Sequence, residues 1–485
     1  MNLEYLMSAL YALLKIMYIV SIIAVLFIVI LQNRNPIKTV TWILVLLLLP
    51  GLGLVIYVFF GQNIRRQRVI ERKMMKSKSK LLQHSRRSVS KLLDERAEIG
   101  TVQQHRNTVM MLSKSHNAVL TINNSASLLI DGRETFNAII DAINDAKSFI
   151  HMEYYIFAMD TIGKEILAAL ARKSAEGVEV KLLVDDVGSW ELRDKDFEYI
   201  ASLGIEVETF MPVRFHKLTS KVNYRNHRKI VVVDGQIGFT GGINIADNYI
   251  DGGRDFAAWH DLHIRLHGDS VNYLETIFIA DWYYCKQEEL TNEKYFPKKS
   301  DCGKIPIQIA SSGPDSDWPA IMMGMFSVIA SAQKYVYICT PYLAPSETVL
   351  TAIKAAGMSD IDVRILIPKR SDSWLTHKCS RSYVKELQRA NVKIYFYTKG
   401  FVHAKTIVAD DSVAIVGSAN LDFRSFEQNF EASAFVYDNE TAMKLREIFE
   451  QDFAKSEFIV PSKWKKRPLT TKISESLSRL FSPVL

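Results

Sequence analysis

Cysteine is scarce. Cys285, Cys302, Cys339 and Cys379 are the only four, and no two stand as C-x-x-C. That spacing excludes zinc ribbons and dithiol redox motifs, and scattered thiols suit a reducing compartment. Histidine, cysteine and carboxylate residues do not cluster at metal-ligand spacing either, so a metal centre is not expected. No basic groove studded with aromatic residues is legible, which argues against single-stranded nucleic acid as a partner. Acids are nearly missing from one stretch. From Arg65 to Lys80, Arg65, Arg66, Arg68, Arg72, Lys73, Lys76, Lys78 and Lys80 face only Glu71. The formal net charge of +7 suits anionic lipid, nucleic acid or plain solubility and decides nothing alone.

Long apolar runs are present, and they concentrate at the N-terminus. One covers 13–31 and a second 40–60, each close to the ~20 residues that carry a helix across a bilayer core. The short polar connection, with Pro36, makes them a helical hairpin over 1–62. A signal peptide fits less well, because a second span follows directly. The hairpin loop carries only Arg34 and Lys38 while the basic stretch follows the second run. The positive-inside bias therefore places the remainder in the cytoplasm of a membrane-embedded, multi-pass protein. Residues 63–114 read as a basic juxtamembrane linker able to rest on anionic headgroups.

Beyond residue 115, β-rich runs alternate with helical ones, the pattern of an α/β protein with mixed sheets flanked by helices. Phe149–Phe157, Val178–Asp185, Ile230–Val233 and Ile237–Thr240 are expected strands; Gly163–Glu176 and Leu192–Leu203 are expected helices. The second half repeats the first. Ala142–Phe157 aligns with Val328–Leu343, Val178–Val184 with Ile361–Ile367, and Gly204–Phe210 with Asn391–Tyr397. So long a repeat implies two similar domains, 115–285 and 306–460, joined by a linker at 286–305. In the basic tail, 461–485, Ile473, Leu477 and Leu480 fall at helical spacing. That pattern suits an interfacial helix or packing on the second domain.

Each half carries His-x-Lys-x4-Asp and then Gly-Gly/Ser-x-Asn. The first copy is His227, Lys229, Asp234, Gly241, Gly242 and Asn244; the second is His403, Lys405, Asp410, Gly417, Ser418 and Asn420. Every second-copy residue stands 176 positions after its counterpart, and an acid follows each asparagine by 11, Asp255 and Glu431. On a strand, i and i+2 point the same way, so each histidine and lysine present together. Asp234-Gly235 makes a tight turn before the return strand. A His-Lys-Asn face suits an anionic phosphoryl group: lysine and amide neutralise it, and histidine attacks or moves a proton. Two such faces across a pseudo-twofold would set two histidines on opposite sides of one phosphorus. A single His-x-Lys on a strand is ordinary structure; two complete copies at matched spacing are not.

In these motifs the chain resembles the phospholipase D superfamily. Further residues narrow the resemblance to bacterial cardiolipin synthases: Asn33-Arg34-Asn35-Pro36, Trp42, Pro50, Gly53, Tyr57 and Phe60-Gly61 in the hairpin, Tyr224–Lys229, Trp259-His260-Asp261, Pro341-Tyr342, and the closing Arg479-Leu480-Phe481-Ser482-Pro483. The resemblance implies two phospholipase D-like domains and a cofactor-free, metal-free, two-step exchange at phosphorus. A phosphatidyl group would pass from one phosphatidylglycerol to the hydroxyl of another, releasing glycerol through a phosphohistidine. It suggests His227 as nucleophile and His403 as acid/base, which the residues themselves do not distinguish. Lys229, Lys405, Asn244 and Asn420 would hold phosphoryl oxygens, and Asp255 and Glu431 would orient the imidazoles, with Asp234 and Asp410 completing the motifs. It also implies a place in the bacterial cell membrane among anionic lipids. Hydrolysis to phosphatidic acid, or transfer to another alcohol, remains the alternative on the same site. A nuclease or a non-catalytic scaffold fits less well, given the paired apolar runs and the two intact motifs.

Overall fold

The computed structural model describes residues 3–31, 36–49, 52–57, 100–116, 118–213 and 224–484. The basic stretch Arg65–Lys80 lies outside the described residues. The chain divides into a small N-terminal unit and a large unit that holds both motif copies.

The N-terminal unit contains α1 (Leu3–Leu31), α2 (Pro36–Leu48) and α3 (Leu52–Ile56). Proline opens α2 at the turn where its missing N–H costs nothing. Trp42 and Tyr57 meet edge to face at 5.3 Å, and Leu46 with Tyr57 forms a small core onto which Val25 packs. The expected span 40–60 is divided, because α2 stops at Leu48 and α3 has five residues. At 1.5 Å per residue α2 is about 20 Å long, short of a ~30 Å hydrocarbon core. α1 has 29 residues, part of whose side chains fall outside the described set. Among the described residues no helix is long and apolar enough to cross a membrane.

The large unit contains two mixed sheets flanked by helices. The first is built from β1 (Asn124–Ile130), β2 (Phe149–Tyr154), β3 (Glu179–Asp185), β4 (Glu206–Phe210), β5 (Lys229–Val233), β6 (Ile237–Gly241) and, beyond the two-residue β7 (Trp259–His260), β8 (Leu262–Gly268). The second is built from β9 (Ile307–Ser312), β10 (Tyr335–Cys339), β12 (Asp362–Pro368), β13 (Lys393–Tyr397), β15 (Thr406–Ala409), β16 (Val413–Gly417), β18 (Glu431–Val436) and β19 (Ser456–Phe458). Short strands β11 (Leu343–Ala344), β14 (Phe401–Val402) and β17 (Leu421–Asp422) lie beside it in sequence. The first sheet runs β1-β8-β6-β5-β2-β3-β4; the second, read from its opposite edge, runs β9-β18-β16-β15-β10-β12-β13 and adds β19. The repeat seen in the sequence is thus a repeat of topology. Strands β2, β3, β5 and β6 and the helices Thr161–Ala175 and Asp194–Ser202 sit where the alternation places them. Asp160 caps the first of these helices by accepting from the Gly163 amide at 3.1 Å, an N-cap contact of the usual kind.

Central strands such as β5 (KIVVV) and β16 (VAIVG) are buried along their whole length, as helices on both faces require. Each half has its own core. The helix Arg106–His116 falls within the stretch read as linker, yet Val109, Leu112 and Val119 are part of the second half's core. Thr101 Oγ1 donates to the Tyr437 carbonyl at 2.6 Å. The signal is weak in sequence because this helix has few apolar positions and packs on a sheet that begins nearly 200 residues later.

The tail packs on the second half. Helix Leu469–Arg479 lies against helix Trp374–Arg389, with Glu475 bonded to Arg467 and Arg381, and Arg479 to Glu386. Trp464 is buried beneath the Arg467 guanidinium. Leu469, Ile473, Leu477 and Leu480 remain exposed on the opposite face.

The motif aspartates serve this framework. Asp234 and Asp410 adopt left-handed φ of 52° and 54° in the hairpin turns that end β5 and β15, and both sit at the strand ends remote from the histidines. Asp234 accepts from the amides of Lys147, Ser148 and Phe149 at 2.7–2.9 Å, and Asp410 from those of Gln333, Lys334 and Tyr335 at 2.7–3.0 Å. Their expected membership of the catalytic set is corrected accordingly: three amides consume each carboxylate, clamping the start of β2 or β10 to its neighbour. Asp234→Ala, which strands three donors, is expected to cost about 3 kcal/mol, read as a lower midpoint in thermal or urea unfolding. The remaining folded enzyme should turn over normally.

Candidate active site

The two motif copies meet at a seam between the halves. β7 of the first half pairs in parallel with β14 of the second, Trp259 opposite Phe401 and His260 opposite Val402. A matching bridge joins Asn226 to Phe430. Each histidine is held by the other half's backbone: His227 N–H donates to the Phe430 carbonyl at 2.9 Å, and His403 N–H to the His260 carbonyl at 2.7 Å.

The next residue on each partner strand is an acid. His227 Nδ1 lies 3.0 Å from both oxygens of Glu431. His403 Nδ1 lies 2.7 Å from Asp261 Oδ2. Since an ionised carboxylate only accepts, each Nδ1 carries the proton and each Nε2 keeps its lone pair. Glu431 also accepts from the Ser418 hydroxyl and from Asn429 Nδ2 at 3.3 Å. In the first half Gly242 replaces that serine, and a Cβ there would come within 2.1 Å of Asp261 Oδ1.

Asp255, expected with Glu431 to orient the imidazoles, is exposed in the loop after Gly252 and Gly253 and makes no described bond to either histidine. Equal spacing from the asparagines misleads because the first half has six more residues there, taken up by the glycine loop after the short helix Asn248–Asp251, whose counterpart in the second half is Phe423–Glu427. Strand register gives the correct equivalence. Gly241 pairs with His263 and Gly417 with Ser433, so Asp261 and Glu431, two residues earlier, correspond. The Trp259-His260-Asp261 triplet was the available signal.

Lys229 Nζ donates to the His227 carbonyl at 2.7 Å and lies over the Tyr155 ring. Lys405 Nζ donates to the His403 carbonyl and sits 2.7 Å from His403 Nδ1, 3.1 Å from its Nε2 and 3.7 Å from Asp261. Asn244 Oδ1 accepts from the Ile156 amide at 3.2 Å, and its Nδ2 bonds to Tyr249 Oη. Asn420 is buried, and its Oδ1 has no protein partner. Around His403 stand Trp259, Phe401, Tyr249 and Tyr342, with ring centroids at 5.2–6.3 Å. His227 faces Tyr155 at 5.0 Å.

Burial dominates the titration of this site. It pushes His227 down to about 4, against the opposing pull of Glu431, and takes His403 well below the ordinary imidazole value, helped by Lys405. It brings Lys229 down to about 7 and lowers Lys405, each against nearby carboxylates. Asp261 is raised by burial, whereas Glu431 stays below the ordinary value because His227, Lys229 and Ser418 outweigh its burial. Buried cations next to neutral imidazoles form a cleft that gains most from an arriving anion. Among the described residues no three His, Cys, Asp or Glu side chains are grouped to hold a metal ion.

Comparisons with known proteins agree with this geometry. The family described as "Cardiolipin synthase, PLD-like domain" matches residues 139–282 and 325–453, and "Phospholipase_D-nuclease N-terminal" matches 17–62. Cardiolipin synthase 1 of Staphylococcus aureus is 40% identical over 484 residues, covering 97% of each chain. Cardiolipin synthase 2 of Bacillus anthracis is 40% identical over 461 residues, covering 94% of this chain and 89% of its own. The fold is that of the crystal structure of phosphatidylserine synthase from Haemophilus influenzae, with TM-score 0.60 at 15% identity over 80% of this chain and 100% of that one. The chain belongs to the cardiolipin synthases, phosphatidyltransferases of the phospholipase D superfamily.

Two measurements test the site. Asp261→Asn should lower kcat on the order of a hundredfold by releasing the His403 tautomer, while Asp255→Asn should leave it within about twofold. The Lys229 cation is present below its folded pKa and lost as pH rises through it. The kcat/KM profile of the free enzyme should therefore bend downward near pH 7, and Lys229→Arg, which keeps its charge, should move that bend upward.

Proposed function

We propose that the enzyme exchanges the alcohol on a phosphatidyl group in two steps at this seam, with two phosphatidylglycerol molecules as donor and acceptor. The single observation that carries the reading is the pair of imidazoles, each with its Nδ1 on a buried carboxylate of the opposite half.

In the first step the His227 Nε2 lone pair attacks phosphorus, and the bond from phosphorus to the glycerol headgroup oxygen breaks. His403, in its protonated form, gives that oxygen its proton, and glycerol leaves. The anionic phosphodiester itself favours the charged form of His403. In the second step, now neutral, His403 takes the proton from a headgroup hydroxyl of the second phosphatidylglycerol. That oxygen attacks phosphorus, the P–N bond breaks, and His227 is restored with cardiolipin as product. His227 is the better nucleophile of the two because Glu431 stays ionised among three donors and stabilises the imidazolium character of the phosphohistidine. Lys229, Lys405, Asn244 and Asn420 neutralise the phosphoryl oxygens. The aromatic wall around His403 disfavours water and favours the lipid hydroxyl, which separates transfer from hydrolysis.

The N-terminal unit serves as a membrane anchor, with the hairpin embedded and the catalytic unit on the cytoplasmic side of a bacterial cell membrane. Support comes from exposed apolar side chains such as Ile16, Val20, Ile23 and Phe27 of α1 and Leu44 and Leu47 of α2, which water would not favour, and from the basic stretch after the second run.

Labelled phosphatidylglycerol supplied in vesicles should yield cardiolipin and glycerol, separated chromatographically; phosphatidic acid as the main product would replace the synthase reading with a hydrolase. Enzyme denatured at neutral or mildly alkaline pH, where a P–N bond survives, should carry phosphorus label on one histidine, lost in His227→Ala. Label retained in that variant and lost in His403→Ala would reverse the two roles.

A further inference from the structure

Six of the seven tryptophans belong to the large unit, and three of them are buried: Trp259, Trp282 and Trp464. Trp190 is 79% exposed and Trp374 67%, large apolar areas for water to cover. These two occupy corresponding places in the repeat. Trp190 follows the end of β3 by five residues, ahead of helix Asp194–Ser202, and Trp374 follows the end of β12 by six, as the first residue of helix Trp374–Arg389.

Both connections are tied to the rim of the active site. Ser189, the neighbour of Trp190, donates to the Tyr155 carbonyl at 3.0 Å, and a Cβ on Gly188 would meet the Tyr155 ring. Tyr155 is the ring that faces His227. On the other side, Asp372 accepts from Tyr342 Oη at 2.6 Å two residues before Trp374, and Tyr342 faces His403. Tyr155 and Tyr342 are half-buried, so they line the opening rather than the core. Each half thus carries one exposed indole on the connection that touches the tyrosine facing its own histidine. The third exposed tryptophan, Trp318, lies on the loop after β9 without a described bond to either tyrosine.

Indole has an apolar body and one N–H donor, which suits the boundary between headgroups and acyl chains. Both positions carry charges of both signs: Arg193 and Lys195 stand among Glu191, Asp194 and Asp196 near Trp190, and Arg370 and Lys378 stand on either side of Asp372 near Trp374, so the indoles and the substrate, not local charge, point to the lipid surface. We infer that Trp190 and Trp374 form a two-point docking surface that seats the mouth of the cleft on the headgroup layer of an anionic phospholipid bilayer. This rests on the reading of phosphatidylglycerol as substrate. Two contacts, one from each half, set the tilt as well as the depth of the cleft. A phosphate at the layer surface can then reach the paired histidines while its acyl chains stay in lipid.

The test uses the full-length protein in vesicles of phosphatidylglycerol and phosphatidylcholine. Tryptophan emission is read with acyl-brominated phosphatidylcholine as quencher, in the wild type and in Trp190→Phe/Trp374→Phe; the difference isolates this pair from Trp42. Quenching should be strong in the wild type and largely lost from the difference signal when unbrominated lipid is used. In Trp190→Ala/Trp374→Ala, cardiolipin formation from vesicles should fall about tenfold at low phosphatidylglycerol mole fraction and recover as that fraction rises. Turnover of a short-chain, water-soluble phosphatidylglycerol should be unchanged. Equal loss on both substrates, no loss on vesicles, or no bromine quenching of the pair would each overturn the docking role. Failure of the wild type to make cardiolipin would instead overturn the substrate reading, while the quenching result would still report whether the indoles enter lipid.

Discussion

The site depends on one reciprocal contact: the carboxylate that fixes each catalytic imidazole is carried by the opposite half. His227 rests on Glu431 and His403 on Asp261, and in both cases the preceding residue of the acid-bearing strand accepts the histidine's own N–H. A buried imidazole without such a partner would be free to change tautomer and to rotate. With it, Nδ1 of each ring is held on the carboxylate and Nε2 is left for the seam, where that of His403 meets Lys405 Nζ. The short pairing of β7 with β14 and the bridge from Asn226 to Phe430 serve this contact. So does the clamp at His260, whose ring joins Asp131 of the first half to Asp452 of the second at 2.6 and 2.8 Å. Between two carboxylates that imidazole is raised to about 10 in spite of its burial, so it stays charged through the neutral range.

Desolvation gives the cleft its selectivity for anions. Lys229 and Lys405 are almost fully buried, and a buried cation is costly unless something negative approaches. Burial lowers both lysines in spite of the two nearby carboxylates, and an arriving phosphodiester favours their charged forms. The same low polarity keeps the histidines neutral when no substrate is present, the form a nucleophile needs.

Much of this was legible because the repeat is strict where the chemistry lies. The constant separation of His227 from His403 and of Asn244 from Asn420 shows two copies of one site, and the two-residue spacing sets Lys229, the first residue of β5, beside His227, which stands just ahead of that strand. Hairpin chemistry was readable at Asp234-Gly235, although its carboxylate proved to be a clamp for β2. Asp261 was not reachable by counting, since six additional residues separate it from Asn244 and only strand register restores the match. The exchange of acids between halves was equally out of reach, because spacing within one motif carries no information about the partner strand. Helix Arg106–His116 was hidden for a related reason: its apolar residues complete a core that belongs to the distant half.

The six additional residues before β7 show where the two copies were free to diverge. The loop between asparagine and acid differs in length between the halves, while the acid-bearing strand ends hold the same register in both. Because each copy completes the other, the duplication provides no redundancy. A lesion that removes Asp261 or Glu431 disables the neighbour's histidine, and the intact copy cannot compensate. Two nearly independent hydrophobic cores are therefore inherited as one functional unit, and selection on either strand end acts on the chemistry of the opposite domain.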